Sequence, residues 1–216
     1  MGPTAFGKTG ERSPRNLFIV STKPLGAILT GGRSTRMGRD KADVALRGRP
    51  MLNWVASALG PVCDDVVLLG PDRPGWDCWP DSVHAQGPLA GAATALSRTD
   101  TDRVILVAVD HPFVTAEFLG HLSMIESDLP VVPVDEDGIR QVTCAVYPVG
   151  IASAAKDEAA SGGSIQTLLD RVSFRPVAPG EWREWGEDGR SWFSVDDEEA
   201  LERGAREFLD ERSGLE

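Results

Sequence analysis

The fold of this chain can be predicted from one segment, Leu25-Gly26-Ala27-Ile28-Leu29-Thr30-Gly31-Gly32. Its first six residues form a short apolar run that stops at a glycine pair, which is typical of a fully buried strand. Two more apolar runs, 66–69 and 104–109, stop in the same way at Gly70 and Asp110. Because helical patterns separate the runs, the sequence predicts an α/β fold, Rossmann-like, with a mostly parallel sheet and helices on both faces.

The segments between these strands carry helix patterns. Pro50 suits the first turn of a helix, and apolar residues follow it at helical spacing over 52–59. Residues 89–96 predict a second helix, and Thr115 predicts the N-cap of a third that runs to about residue 127. Residues 71–81 hold three Pro and two Trp, which indicates an irregular connection.

The second half of the chain is less regular. Residues 131–134 and 142–146 are strand candidates, and the acidic turn 135–138 between them favours a hairpin or an excursion in a mixed sheet. Residues 164–171 predict a short helix. Asp196 stands three residues before a Glu, which is the spacing of a capping box at the start of an amphipathic C-terminal helix.

Charge and composition exclude several classes of protein. The 216 residues include 22 Lys and Arg against 33 Asp and Glu, a net charge of −11. Such an acidic surface repels nucleic acid and anionic membranes, so we expect neither as a partner. Only three cysteines occur, Cys63, Cys78 and Cys144, and their spacing suggests neither a zinc site nor a disulfide framework.

The length suits one domain, which we place at residues 25–216. Residues 1–24 are rich in Gly, Ser, Pro and basic residues, and we interpret them as a flexible N-terminal extension; a transit peptide is the alternative. No apolar run reaches membrane-spanning length, and no signal-peptide pattern is visible. We therefore expect a cytoplasmic protein.

The loop after the first strand has the chemistry of a phosphate cradle. Gly31 and Gly32 lack a Cβ, so the backbone can adopt a positive φ and approach a ligand closely. Arg36 and Lys41 add fixed positive charge in a chain that is acidic elsewhere. A solvated glycine turn is the alternative. The spacing fits neither the dinucleotide fingerprint nor the Walker loop.

Asp110 ends an apolar strand, which places its carboxylate at the sheet edge of the glycine loop. A hard oxygen ligand beside a polyphosphate is what Mg²⁺ requires, so Asp110 is the candidate metal ligand. The neighbouring His111 has no second histidine nearby and is interpreted as a loop residue. Three tryptophans (Trp182, Trp185 and Trp192) and Cys144 are expected to pack rather than bind.

The string from Leu29 to Lys41 resembles the signature loop of the molybdenum cofactor guanylyltransferase family, which consists of MobA-like nucleotidyltransferases. The resemblance extends over roughly residues 25–210 and is sharpest in the first half. It implies a three-layer αβα nucleotidyltransferase fold. It also implies contacts to nucleotide base, phosphate and metal from the matching loop positions, which are Leu29, Thr30, Gly31, Gly32, Arg36 and Lys41.

Further matches follow in the family's order along the chain. Gly87-Pro88-Leu89-Ala90-Gly91 matches a string that lines the nucleotide pocket, and the Asp of Asp110-His111-Pro112 matches the metal ligand. Asp81 stands near a family acidic residue that helps to bind GTP, and Gly70 stands where some members carry an Asn contact.

The resemblance implies transfer of GMP from GTP to molybdopterin, with Mg²⁺ as cofactor and pyrophosphate as the leaving group. Arg36, Lys41 and Asp110 are the implied catalytic residues. Protein partners would be transient contacts with cofactor-synthesis and molybdoenzyme-maturation proteins, and the chain itself would be a monomer or weak oligomer.

Several alternatives stay open. The glycine pair leaves more room for a purine edge, which favours GTP over CTP; a related CTP-dependent enzyme or another phosphate acceptor is the alternative. A non-catalytic nucleotide-binding protein is a further alternative, because Ser194 and Asp196 replace two family Asn residues and Gln141 lacks the Pro that follows it in relatives. Asp196 is either a metal or acceptor contact or simply a helix cap.

Overall fold

The structure, a computed structural model, describes residues 23–31, 40–80 and 87–209. Nine strands and seven helices lie within these ranges. The strands are β1 (Leu25–Leu29), β2 (Ala45–Leu46), β3 (Arg49–Pro50), β4 (Val66–Leu69), β5 (Cys78–Trp79), β6 (Arg103–Ala108), β7 (Val131–Pro133), β8 (Cys144–Pro148) and β9 (Arg175–Val177). The helices are α1 (Met51–Leu59), α2 (Pro88–Arg98), α3 (Ala116–Met124), α4 (Ala152–Ala160), α5 (Ile165–Val172), α6 (Pro179–Glu184) and α7 (Glu198–Leu209).

Seven of the strands form one sheet in the order β5-β4-β1-β6-β8-β7-β9. Neighbours are parallel from β5 to β6 and between β7 and β9, whereas β8 runs antiparallel to both β6 and β7. Because β8 is the reversed strand and the others run in one direction, the carboxyl ends of β1, β4, β6 and β7 lie at one edge of the sheet. The predicted mostly parallel sheet with a hairpin excursion is therefore confirmed.

The two faces of the sheet carry separate apolar clusters, because successive side chains of a strand point to opposite faces. Ile28, Ile105 and Val107 pack with buried residues of α1 and α3. Ala27 and Leu29 pack on the other face with buried residues of α2, α4 and α5. The strands are apolar at nearly every position because helices cover both faces of the sheet. Helices on both faces confirm the predicted three-layer αβα architecture.

A third apolar cluster holds α7 beside the sheet edge. The rings of Phe113, Phe193 and Phe208 lie with centroids 5.2–5.7 Å apart, in tilted or edge-to-face geometry. Gly204 of α7 approaches Phe113 so closely that a Cβ would lie 2.4 Å from a ring carbon. The fully buried Val195 belongs to the same cluster, which therefore fixes the chain next to both Asp110 and Asp196.

The predicted elements are found with shifted boundaries. Helix α3 is capped by Thr115, as predicted, but it ends at Met124 rather than near residue 127, because Ile125 is extended. Residues 71–80 are irregular except for β5, a two-residue edge strand. The β2–β3 hairpin was not predicted; its turn residues Arg47 and Gly48 both have positive φ without the usual Asn-Gly signature.

The aromatic and sulfur side chains pack as predicted. Trp182 is buried and donates from its indole nitrogen to the Val134 carbonyl at 2.9 Å. Its ring meets Trp192 edge-to-face, and Trp185 stacks on His121. Cys144 is buried in the core. In the part of the chain that the structure describes, no helix combines the length and the apolar character that crossing a membrane requires.

Candidate functional site

The candidate site lies where β1, β4 and β6 end. The Thr30 backbone N–H donates to Leu69 at 3.0 Å, and the Val109 N–H donates to Leu29 at 3.0 Å, so the three strand ends are held side by side. Gly70 lies against this junction, where a Cβ would be only 2.6 Å from the Thr30 hydroxyl. A side chain at position 70 would therefore push the first loop away from β4.

Lys41 joins two carboxylates at this edge. Its ammonium nitrogen lies 3.0 Å from Asp110 Oδ2 and 2.7 Å from Asp196 Oδ1. The Lys41 side chain is 14% exposed, and those of Asp110 and Asp196 are 24% and 54% exposed. Burial favours the neutral amine, but the hydrogen bonds and charges of Asp196 and Asp110 outweigh it and raise the pKa of Lys41 above its ordinary value. The lysine is therefore a fixed cation.

Local structure sets the position of each of these side chains. Lys41 begins a short 3₁₀ turn, Lys41–Asp43, whose N-cap Asp40 accepts a hydrogen bond from the Ala42 N–H. The Val195 N–H donates to the Asp110 carbonyl at 2.8 Å, so the segment before α7 runs alongside the end of β6. This backbone contact brings Asp196 beside Asp110 although 86 positions of sequence separate them.

Of the two alternatives for Asp196, the helix cap is not what the structure has. Asp197 caps α7: its carboxylate accepts from the Ala200 N–H at 2.8 Å, and its carbonyl accepts from the Leu201 N–H. Asp196 instead accepts from the Lys41 ammonium and from the Ser194 hydroxyl, the latter at 3.3 Å. A charge-assisted bond to an ammonium is stronger than a bond to a neutral amide, which explains why Asp196 turns towards the site.

His111 supports the site from inside the protein. It is buried, and its Nε2 lies 3.0 Å from the Thr143 hydroxyl at the start of β8. Burial lowers the pKa of His111, and the nearby Asp110 only partly opposes this effect. Because His111 Nε2 is engaged with Thr143, the structure agrees with the interpretation of His111 as a loop residue rather than a metal ligand.

The Gly87–Gly91 string starts α2 at the same edge. Gly87 is the N-cap with a φ of +103°, and Pro88 is the first helical residue. Leu89 is buried with Leu29 in the core, so the side chains of both residues face away from solvent. Gly91 is needed for close packing, because a Cβ there would lie 2.7 Å from Leu29. A ligand at this edge would meet the backbone of the string rather than the Leu89 side chain.

The remaining predicted site residues divide into two groups. Gly32, Arg36 and Asp81 lie outside the described residues. Gly31 and Thr30 are described, and two expectations about them need adjustment. Gly31 does not adopt the left-handed φ that the glycine pair would allow, and among the described residues a Cβ there would come within 4 Å only of Leu69 O, at 4.0 Å. The Thr30 hydroxyl is buried and bonds to the Leu69 carbonyl, which leaves only its backbone for a ligand.

The donors present suit a hard divalent cation such as Mg²⁺. Asp110 and Asp196 converge on the Lys41 ammonium, which marks a position where a cation is already stabilised. Within residues 23–31, 40–80 and 87–209, no group of three or more His, Cys, Asp or Glu could form an all-protein metal cage. Two carboxylates are the usual protein contribution to Mg²⁺, which keeps waters and substrate phosphates as its other ligands.

Comparison with known proteins gives the family. The model of the MobA-like NTP transferase domain matches residues 26–174. A "probable molybdenum cofactor guanylyltransferase" of Bacillus licheniformis is 34% identical over 172 residues, which cover 72% of this chain and 84% of that protein. One with the same description from Deinococcus radiodurans is 40% identical over 96 residues, and these cover 43% of this chain and about half of the relative, 49%.

The fold comparison agrees. The crystal structure of molybdopterin-guanine dinucleotide biosynthesis protein A from Archaeoglobus fulgidus superposes with a TM-score of 0.73 at 23% identity, covering 84% of this chain and 97% of that one. At this level of identity the likeness shows the fold alone. The family-model match covers more than half of the chain and includes β4, β6, Asp110 and all of β1 except its first residue, so the chain belongs to the MobA-like NTP transferase family.

Proposed function

We propose that this nucleotidyltransferase transfers GMP from GTP to molybdopterin and releases pyrophosphate. The main support for the proposal is the cluster of Lys41, Asp110 and Asp196 at the carboxyl edge of the sheet. Lys41 comes at the end of the loop that begins with the glycine pair. Ligands of open α/β sheets bind at that edge. The relatives described above carry the same activity in their names.

The substrate triphosphate would lie along the first loop. Gly31 and Gly32 would present backbone N–H groups to it, and Arg36 and Lys41 would neutralise the charge that develops on the leaving pyrophosphate. Leu29, Thr30 and Gly70 would border the base and sugar through their backbone. Asp81 and the start of α2 (Gly87, Pro88 and Leu89) would close the nucleotide side; a helix N-terminus favours an anionic ligand.

Asp110 is the proposed ligand of Mg²⁺, and Asp196 is the nearest carboxylate able to share it. The bound ion would supply charge neutralisation at the reacting phosphates. The Lys41 ammonium, which lies beside both carboxylates, would neutralise the neighbouring nucleotide phosphates. The protein residues thus need only to align the phosphates and hold charge.

The reaction itself needs no covalent residue. An oxygen of the molybdopterin phosphate would attack the α-phosphorus of GTP, forming one P–O bond while the bond to the pyrophosphate oxygen breaks. The attacking oxygen is already anionic, so no general base is required. Alignment and electrostatic stabilisation then supply the rate, which agrees with the absence of a nucleophile–base pair among the proposed site residues.

The function can be tested by pyrophosphate release with molybdopterin, MgCl₂ and each of the four nucleoside triphosphates. We expect release with GTP, and a loss of at least about 100-fold in turnover for Lys41→Ala and for Asp110→Asn. Lys156→Ala and Asp170→Asn are matched controls, because both residues lie on helices α4 and α5 away from the sheet edge. Near-native turnover of either site variant would reject the assignment.

The same assay separates the alternatives. Release with CTP alone would identify a cytidylyltransferase, and nucleotide binding without release would identify a non-catalytic protein. Gly32→Ala should reduce the preference for GTP over CTP if the glycine pair makes room for the purine. We further propose one domain over residues 25–216, acting as a monomer or weak oligomer in the cytoplasm, where GTP is available, with transient contacts to cofactor-synthesis and molybdoenzyme-maturation proteins.

A further inference from the structure

Arg73 forms a clamp on the turn that carries Lys41. Its guanidinium donates through Nη2 to Asp40 and through Nη1 to Asp43 Oδ1, the latter at 2.7 Å. Asp40 and Asp43 flank Lys41 on the two sides of the 3₁₀ turn. Only 15% of the Arg73 side chain is exposed, so the guanidinium is held between the two carboxylates rather than free in solvent.

The clamped carboxylates also shape the turn. Asp40 uses its second oxygen to cap the turn through the Ala42 N–H at 3.0 Å, while Ala42 itself is fully buried. The Asp43 N–H donates to the Asp40 carbonyl, and the Val44 N–H donates to the Lys41 carbonyl. With both ends tied to one planar guanidinium, the turn has little freedom to rotate, and the direction of the Lys41 side chain is fixed with it.

The clamp itself rests on a rigid base. Arg73 follows β4 and Gly70, and its backbone N–H donates to the Cys78 sulfur at 3.2 Å. The Trp76 N–H donates to the Arg73 carbonyl at 3.2 Å, which closes a compact turn before β5. The clamp therefore links the end of β4 to the turn that presents Lys41 to Asp110, whose own strand β6 lies on the other side of β1.

We propose that Arg73 is a positioning residue: it sets the distance between Lys41 and Asp110 without touching the nucleotide. This inference rests on the proposed function. Its two consequences are that losing Arg73 weakens binding of GTP with Mg²⁺, and that this loss disappears once Lys41 has been removed. If Arg73 contacted the nucleotide directly, or only stabilised the fold, its removal would weaken GTP binding by the same factor with and without Lys41.

The test is a double-mutant cycle on the full chain. GTP affinity in MgCl₂ is measured by calorimetry for the native protein, Arg73→Ala, Lys41→Ala and the double variant. Arg73→Ala should weaken binding about tenfold in the native background, a coupling in the range for residues of one ion-pair network, and less than about twofold in the Lys41→Ala background. Arg73→Lys, which retains charge but not the fork, should give an intermediate loss and guards against misfolding of the alanine variant.

A matched control and a second readout complete the design. Arg175→Ala removes another forked arginine, paired with Glu181 on the far edge of the sheet, and should leave GTP affinity unchanged. Hydrogen exchange at the Ala42 amide should speed up in Arg73→Ala and not in Arg175→Ala. Equal losses in both Lys41 backgrounds, or no loss at all, would overturn the inference. Failure of the native protein to bind GTP would instead refute the proposed function.

Discussion

Replacing Gly204 with alanine tests the cluster that holds α7 against the site. Gly120 offers a matched control, because it also lies inside a helix and a Cβ there would meet nothing within 4 Å. Gly120→Ala should gain the helix propensity of alanine, about 1 kcal/mol. Gly204→Ala should gain the same stabilisation from helix propensity. It should lose more stability than that through steric overlap, since its Cβ would lie 2.4 and 2.6 Å from two Phe113 ring carbons.

The size of that loss follows from overpacking. An added methyl group in a tightly packed core costs about 1–3 kcal/mol, and contact with two rigid rings (a Phe193 carbon is also only 3.0 Å away) favours the upper end. The net change for Gly204→Ala is then about 2 kcal/mol of destabilisation. At about 2–4 °C per kcal/mol for a chain of this size, its Tm should fall by about 6 °C while that of Gly120→Ala rises by about 3 °C.

Thermal and urea unfolding of the two variants and the native protein measure these changes directly. GTP binding adds a second readout: Phe113 and Val195 share the cluster next to Asp110 and Asp196, so repacking should also separate the two carboxylates. A Gly204→Ala protein as stable as Gly120→Ala would show that α7 does not lie against Phe113, and the argument that this cluster brings Asp196 to the site would fall with it.

Three further outcomes are expected. The pKa of Lys41 is raised in the folded state, so its stabilisation is complete below the unfolded-state pKa of about 10.4 and is lost as pH rises through the folded value. The difference in unfolding free energy between native protein and Lys41→Met should therefore stay constant to about pH 10 and shrink above it, as urea titrations would show. Burial raises the pKa of Cys63 to about 12 and also raises that of Cys144, so iodoacetamide at pH 8 should label the half-buried Cys78 first, as peptide mass spectrometry would show. Thr115→Ala removes a side-chain cap and should lower the free energy of unfolding in urea by about 1 kcal/mol, whereas Thr115→Ser keeps the capping hydroxyl and should lower it much less.

The central sheet was predictable from the sequence because its strands are buried on both faces. Runs such as 25–29 and 104–108 are apolar at every position, and no alternative pattern competes with that interpretation. The short edge strands were not predictable. Strand β5 has only two residues and lies in a segment rich in Pro, so its pairing with β4 depends on tertiary contacts rather than on local preference.

The candidate site was predictable in part. Parallel strands end at a common edge, so Asp110 could be placed near the first loop from the sequence pattern alone. The role of Asp196 could not be decided, because Asp196 and Asp197 are both chemically able to cap α7. The choice depends on the Val195–Asp110 backbone bond and on the Lys41 ammonium, two contacts across more than 80 residues that no local pattern records.

Arg73 shows a second limit of sequence reasoning. It lies in a segment that the sequence identifies only as irregular, and its two partners, Asp40 and Asp43, are ordinary loop aspartates. The one available hint was chemical: a basic residue in a loop that leaves the same sheet edge as the glycine turn. The role of Arg73 depends on how closely the chain after β4 approaches the chain after β1. Gly70 permits this approach because a side chain there would collide with Thr30.

A chain with a net charge of −11 must offset local negative charge in order to bind a triphosphate as proposed. The two carboxylates that contact Lys41, Asp110 and Asp196, lie where the polyphosphate is proposed to bind, and a carboxylate repels a polyanion. A divalent cation held by these carboxylates would offset that repulsion. If the site works as proposed, GTP binds only together with Mg²⁺, and a chelator should abolish GTP binding in calorimetry while leaving the thermal unfolding of the protein unchanged.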